Sequence, residues 1–166
     1  MSLASLIVVT AVRCSFPGVA SECKSTDGRV VAVWMMPDVN NPRELIWRDM
    51  ATGSSGVLGT FERSIDLFWS PTGHRLAITD AAGSDNSDAL VWQLLSGPRR
   101  SFEQDLRRVS SAADLMWKND HQYFEVVKWV TSDRILVRAW GHGNPKGVMV
   151  DRLYSWTVSG SIRRVR

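Results

Sequence analysis

Two pairs of residues at one fixed separation constrain this 166-residue chain more than anything else in it. Gly28 and Gly73 lie 45 positions apart, and so do Trp47 and Trp92. The clearest copy of the repeated plan runs over 65–97, IDLFWSPTGHRLAITDAAGSDNSDALVWQLLSG. Ile65–Trp69 is short, apolar and β-favouring. Ser70-Pro71-Thr72-Gly73 supplies turn chemistry, because Pro presets φ and Gly tolerates positive φ. Leu76 and Ile78 alternate with Ala77 and Thr79, as on a strand with one face more buried. Ala81–Ser87 is small and polar, and a further strand follows, centred on Val91-Trp92. Upstream, Ser25–Val33 matches the first hairpin, and Leu45-Ile46-Trp47 with Gly53 matches the later strand. Downstream, Val127–Val137 repeats the turn and strand without the Gly, and Tyr154-Ser155-Trp156 with Gly160 repeats the closing strand. A period of about 40–45 residues is that of a four-stranded antiparallel unit.

Trp69-Ser70-Pro71-Thr72-Gly73, Leu76-Ala77-Ile78, Val91-Trp92 and Gly97 together resemble one blade of a TolB-like or WD40-like β-propeller. Thr72 stands where that pattern usually has an acidic residue. The resemblance implies an all-β fold and a role as an interaction platform, by analogy of fold alone. The reading is three propeller-type meander units, at about 24–61, 64–97 and 122–166, forming a partial β-propeller. Propellers close with about four to eight blades, so three units leave two open ends. Either chains assemble to complete a ring, or an inserted helix and the N-terminal segment cap the open stack in a monomer. The second arrangement is preferred here.

That helix is predicted over 101–117. Ser101 and Gln104 have capping-box spacing, and Phe102, Leu106, Val109, Ala113 and Met116 form one apolar stripe. Glu103 and Arg107 stand at i,i+4, where opposite charges attract. The stripe needs a sheet to cover, which is why it is assigned to an end of the stack.

The first 20 residues differ from the rest. Leu3–Val12 is apolar but too short to span a bilayer as a helix, and Gly18-Val19-Ala20 fits the small-residue rule for signal cleavage. Residues 1–20 are therefore read as a signal peptide and the protein as periplasmic or secreted, against the alternative of an N-terminal strand joining the sheet. Cys14 and Cys23 are the only cysteines. Cleavage after Ala20 leaves Cys23 alone, whereas a retained leader permits a disulfide in an oxidising compartment. The net charge of +3 is matched by Arg163, Arg164 and Arg166 alone. No basic stripe with interleaved aromatics argues for nucleic acid.

No nucleophile, base and acid stand in a recognisable pattern, so no catalytic residue, metal ligand or cofactor is assigned. The candidate ligand- or partner-binding residues are Asp80, Asp85, Asn86 and Asp88 on one polar loop, and Trp140, His142 and Asn144 at a second, Gly-rich one. Most tryptophans are read as core, since an indole buries a large area, and Trp140 is the candidate for an exposed platform. The leading function is an exported, non-enzymatic scaffold that binds a protein or a small ligand. One alternative is a hydrolase, or the propeller portion of one, using Asp85, Asp88 and His142. Another is a calcium-stabilised module built on the loop oxygens.

Overall fold

The computed structural model describes residues 11–16, 21–35, 42–93, 98–112, 114–142 and 149–165. The first unit is a four-stranded meander of β2 (Ser21–Lys24), β3 (Val30–Met35), β4 (Arg43–Asp49) and β5 (Ser55–Phe61), preceded by a short strand β1 (Arg13–Phe16) that pairs elsewhere. The second comprises β6 (Ile65–Trp69), β7 (Arg75–Asp80), β8 (Asn86–Gln93) and the two-residue β9 (Arg100–Ser101). After helix α1 (Phe102–Val109) and a 3-10 turn (Leu115–Lys118) comes the third, β10 (His121–Thr131), β11 (Arg134–His142), β12 (Val150–Thr157) and β13 (Ile162–Val165). The three units of a partial propeller are therefore present. No helix among the described residues is long and apolar enough to cross a membrane.

The repeat is visible atom by atom. Gly28 and Gly73 have φ of 71° and 74°, the left-handed region that favours glycine. Each amide donates to the carbonyl of a serine three residues back, Ser25 or Ser70, at 2.9 Å. In both hairpins that serine's hydroxyl also accepts from the residue opening the next strand, Val30 or Arg75. The third unit makes the same reversal with only Ser132-Asp133 between its strands, so it needs no glycine there.

The indoles join neighbouring units in a repeated way. Trp69 Nε1 donates to the Cys23 carbonyl at 3.1 Å, and Trp129 Nε1 to the Phe68 carbonyl at 2.7 Å. Cys23 and Phe68 are themselves 45 residues apart. The first strand of each unit is thus tied to the first strand of the unit before it. Two cores result. Trp34, Leu45, Phe61, Leu67, Trp69, Ile78 and Trp92 fill the space between units one and two. Phe68, Phe102, Leu106, Phe124, Trp129, Val137 and Trp156 fill that between units two and three.

The helix corrects two expectations. It spans Phe102–Val109 rather than 101–117, because Ser110 is extended and its amide closes the helix on the Leu106 carbonyl. Serines compete with helix through local hydrogen bonds. Val109 is exposed, Met116 reaches the core from the 3-10 turn, and Ala113 lies outside the described residues. The start is as predicted: Ser101 Oγ accepts from the Gln104 amide, and Arg107 pairs with Glu103 at 2.8 Å. Nor does the helix cap an open end. Phe102 packs on Phe124, Tyr154 and Trp156, so the apolar stripe lies between units two and three. Asp105, buried on the same helix, accepts from Trp156 Nε1 at 3.0 Å and pairs with Arg100 and Arg108.

At the other end of the chain, β1 pairs antiparallel with β6 from Arg13↔Phe68 to Phe16↔Ile65. Phe16 is buried and stacks on Trp34 at 6.0 Å. Cys14 and Cys23 form a disulfide that ties β1 to β2. Residues 1–10 and 17–20 of the leader-like segment, with its Gly18-Val19-Ala20, lie outside the described residues, as does most of the loop after β3.

Candidate functional site

Strand pairing brings the polar loop of unit two beside Tyr123 of β10 and, across from it, Trp140 of β11. At its start β10 runs parallel to β8, with Gln122 opposite Asn86 and Tyr123 opposite Ser87. The Gln122 amide donates to the Asp85 carbonyl at 2.9 Å, the Tyr123 hydroxyl to the Ser84 carbonyl at 2.8 Å, and the Phe124 amide to Ser87 Oγ at 3.1 Å. The polar loop of unit two is thereby fastened to the first strand of unit three. On β11, Trp140 lies opposite Tyr123 and His142 opposite His121.

These cross-strand pairs stack as two layers of rings. Tyr123 and Trp140 are 4.1 Å apart at 21°, and His121 and His142 are 4.4 Å apart at 17°. The guanidinium of Arg138 sits 5.6 Å from the Trp140 ring while holding Asp151 through two hydrogen bonds of 2.9 and 2.8 Å. A cation over an indole face is attracted by the ring quadrupole. Trp140 Nε1 is buried and has no hydrogen-bond partner among the described residues.

Beside this aromatic wall is a cleft of about 610 Å³. Unit two lines it with Asp66, Thr79, Gly83 and Asn86, and unit three with Tyr123, Glu125, Val127, Arg138 and Trp140. Arg13 of β1 closes one side and pairs with Asp66 at 3.0 Å. The lining thus combines a flat aromatic surface with two arginines and two acids. That suits a ligand with one planar or apolar face and polar groups around its edge.

Of the residues proposed from sequence, Asn86 and Trp140 line this cleft. His142 belongs to the adjoining ring stack. Asp85 faces a separate hollow of about 250 Å³ beside Glu103, Arg107 and Gln122. Asp88 does structural work: its carboxylate accepts from Ser101 Oγ at 2.6 Å and from the Glu103 amide at 3.2 Å, at the helix start. Burial nevertheless pushes its carboxyl up to about 6, against the lowering effect of those two donors. Asp80, directly opposite Asp88 in the ladder, is pushed to about 6 as well, by burial first and by nearby Glu62, with Arg99 opposing. Its Oδ1 is buried with no hydrogen-bond partner among the described residues. Asn144 lies outside the described residues.

No hydrogen bond among the described residues links Asp85, Asp88 and His142: Asp85 lines the smaller hollow, Asp88 is held at the helix start and His142 lies in the ring stack. No group of three or more His, Cys, Asp or Glu side chains among the described residues is placed to hold a metal ion. Arg13, Asp66, Tyr123, Glu125 and Arg138 were not singled out from sequence. Their one sequence signal is the alternation that places Tyr123 and Glu125, and likewise Arg138 and Trp140, on one face of their strands. That alternation does not say which strands are neighbours.

No family model and no curated protein matches the chain. Among solved structures it is similar to the β-propeller domain of the Trilobed protease from Pyrococcus furiosus, which has an open velcro topology. The TM-score is 0.56 at 15% identity, covering 89% of this chain and 42% of that one. A prolyl endopeptidase structure aligns at TM-score 0.36 and 13% identity, covering 94% of this chain and 29% of that one. The chain spans less than half the length of either. The first likeness shows the propeller fold and does not single out the TolB or WD40 groups.

Proposed function

We propose that the chain is a non-enzymatic propeller-type scaffold that acts outside the cytoplasm and binds its ligand in the cleft between units two and three. The observation that carries this reading is the Tyr123–Trp140 stack beside a 610 Å³ cleft, with Arg13, Asp66, Glu125 and Arg138 around it. Aromatic walls with a few placed polar groups are the usual make-up of a binding cleft. The Cys14–Cys23 disulfide supports a location in an oxidising compartment.

A panel of short peptides and neutral oligosaccharides, screened by thermal shift and tryptophan fluorescence, tests the reading. A binding probe should lose about tenfold or more in affinity on Trp140→Ala, equivalent to about 1.4 kcal/mol. Probe affinity unchanged in Trp140→Ala would refute the cleft as the site.

A second reading is a propeller portion that accompanies a hydrolase. It is favoured by the likeness to the propeller domain of the Trilobed protease, of which this chain covers 42%. Here the cleft serves to hold or admit a substrate, and the chemistry belongs to another domain or chain. Peptides, and not oligosaccharides, should then be the probes that bind.

A further inference from the structure

We propose that the cleft between units two and three takes a positively charged group on an apolar stem, the lysine or arginine side chain of a peptide, and that Glu125 selects it. This rests on the cleft being the binding site and adds the charge of what it binds.

The charges around the cleft do not balance. Arg13 and Asp66 line it as a pair, joined at 3.0 Å. Arg138 and Glu125 also line it and stand opposite each other on β11 and β10. Arg138, however, gives its Nε and one terminal nitrogen to Asp151, at 2.9 and 2.8 Å. The pKa of Arg138 is raised, first by those hydrogen bonds and then by the nearby charges of Asp151 and Glu125, against burial. One guanidinium thus serves two carboxylates, and only Asp151 is bonded to it. Glu125 makes no hydrogen bond or ion pair among the described residues. The site is left with an excess of one negative charge, in a chain whose net charge is +3. Its sign therefore runs against the composition of the whole.

The surroundings say how the cation is carried. Glu125 is half-buried and lies on the same face of β10 as Tyr123. Two residues along a strand span about 7 Å. The four-carbon stem of a lysine covers a distance of that order, so its methylenes can lie against the Tyr123–Trp140 rings while its ammonium reaches the carboxylate. On the other side of Glu125 the exposed Val127 continues the apolar wall.

Other charges fit less well. Arg13 and Arg138 each already hold an aspartate, and an anion brought to Arg138 also meets Glu125. A neutral ligand gains nothing from Glu125. Arg138 lies 5.6 Å from the Trp140 ring centre, so that indole already has its cation and an incoming one is directed to the carboxylate. A free alkylamine offers the same chemistry as a lysine side chain, and the experiment separates the two sources.

Three capped pentapeptides that differ only in a central lysine, norleucine or glutamate, with n-butylamine as the fourth probe, are titrated into the full chain by calorimetry. Norleucine keeps the stem and lacks the charge. The lysine peptide should bind about tenfold or more tighter than the norleucine peptide, and the glutamate peptide weakest. Glu125→Gln should bring the lysine peptide down to the norleucine level and leave the norleucine peptide unchanged. Glu125→Lys should reverse the order of the lysine and glutamate peptides, a result that misfolding does not produce. Glu125-dependent binding of n-butylamine as tight as that of the lysine peptide makes a free amine the source; binding of the lysine peptide alone makes it a peptide. Equal affinity for the lysine and norleucine peptides overturns the proposal, and so does a lysine preference that survives Glu125→Gln. If Trp140→Ala still weakens the peptides in that case, the cleft stands and only the charge selection falls. If Trp140→Ala leaves them unchanged, the cleft falls with it. No binding by any of the four probes overturns the charge selection and leaves the cleft to the oligosaccharide probes.

Discussion

Replacing either inter-unit indole by phenylalanine should destabilise the fold by about the same amount. Trp69 is fully buried and Trp129 is 6% exposed. Each makes one hydrogen bond across a unit boundary, to the carbonyl of Cys23 or Phe68. Phenylalanine keeps most of the packing but removes about two methylene equivalents of buried surface, roughly 1.6 kcal/mol. It also leaves a buried carbonyl without that donor, roughly 1–2 kcal/mol. Trp69→Phe and Trp129→Phe should therefore each cost about 3 kcal/mol, a large fraction of the 5–15 kcal/mol of an ordinary domain. The assay is urea unfolding followed by far-ultraviolet circular dichroism, with the slope m unchanged between variants. The two sites bridge different unit pairs, so the double variant should be additive within about 0.5 kcal/mol. A loss below about 1 kcal/mol in either variant, or losses differing more than about twofold, would refute the view that these bonds are equivalent joints of one repeat.

Burial raises Asp88 to about 6 from an ordinary 3.8, so the folded protein binds a proton more tightly than the unfolded chain. Stability contributed by this group is absent at pH 7, appears as pH falls through 6, and is complete below about 4. Two pKa units correspond to about 3 kcal/mol for a group this deeply buried. Asp80, raised to about 6 by burial as well, adds a gain of the same sign, so melting temperatures measured from pH 7 to pH 4 should rise in the parent and rise less in Asp88→Asn. Equal slopes would remove Asp88 as the source. For the disulfide, Cys14 and Cys23 are nine residues apart, and closing a loop of that size removes about 3 kcal/mol of unfolded-state entropy. Cys14→Ser, or reduction of the parent, should lower stability by about that amount and free β1 from β6, read as faster amide exchange at 13–16; an unchanged melt would show that β1 holds without it.

The sequence carried the architecture because the repeat is written in local chemistry. Gly28 and Gly73 sit where the backbone needs positive φ, and Ser25 and Ser70 recur with the hydrogen bonds that close each hairpin. Such signals span a few residues and need no knowledge of distant partners. The start of the helix was legible for the same reason, since Ser101 caps it within one turn. Its end was not: the apolar positions run on at helical spacing to Met116, while Ser110 turns the backbone away after Val109.

The cleft, the disulfide and the placement of the helix belong to the tertiary structure alone. Trp140 meets Tyr123 because a hairpin register sets them opposite, and Asn86 lines the same cleft because β8 and β10 run side by side for two residues. Asp88 looked like a ligand in a polar loop and proved to be a buried acceptor at the helix start, since only packing decides whether a carboxylate faces water. A periodic sequence states what each unit is. Which faces meet, and which remain open, depends on contacts between residues tens of positions apart, and a short-range pattern does not encode them.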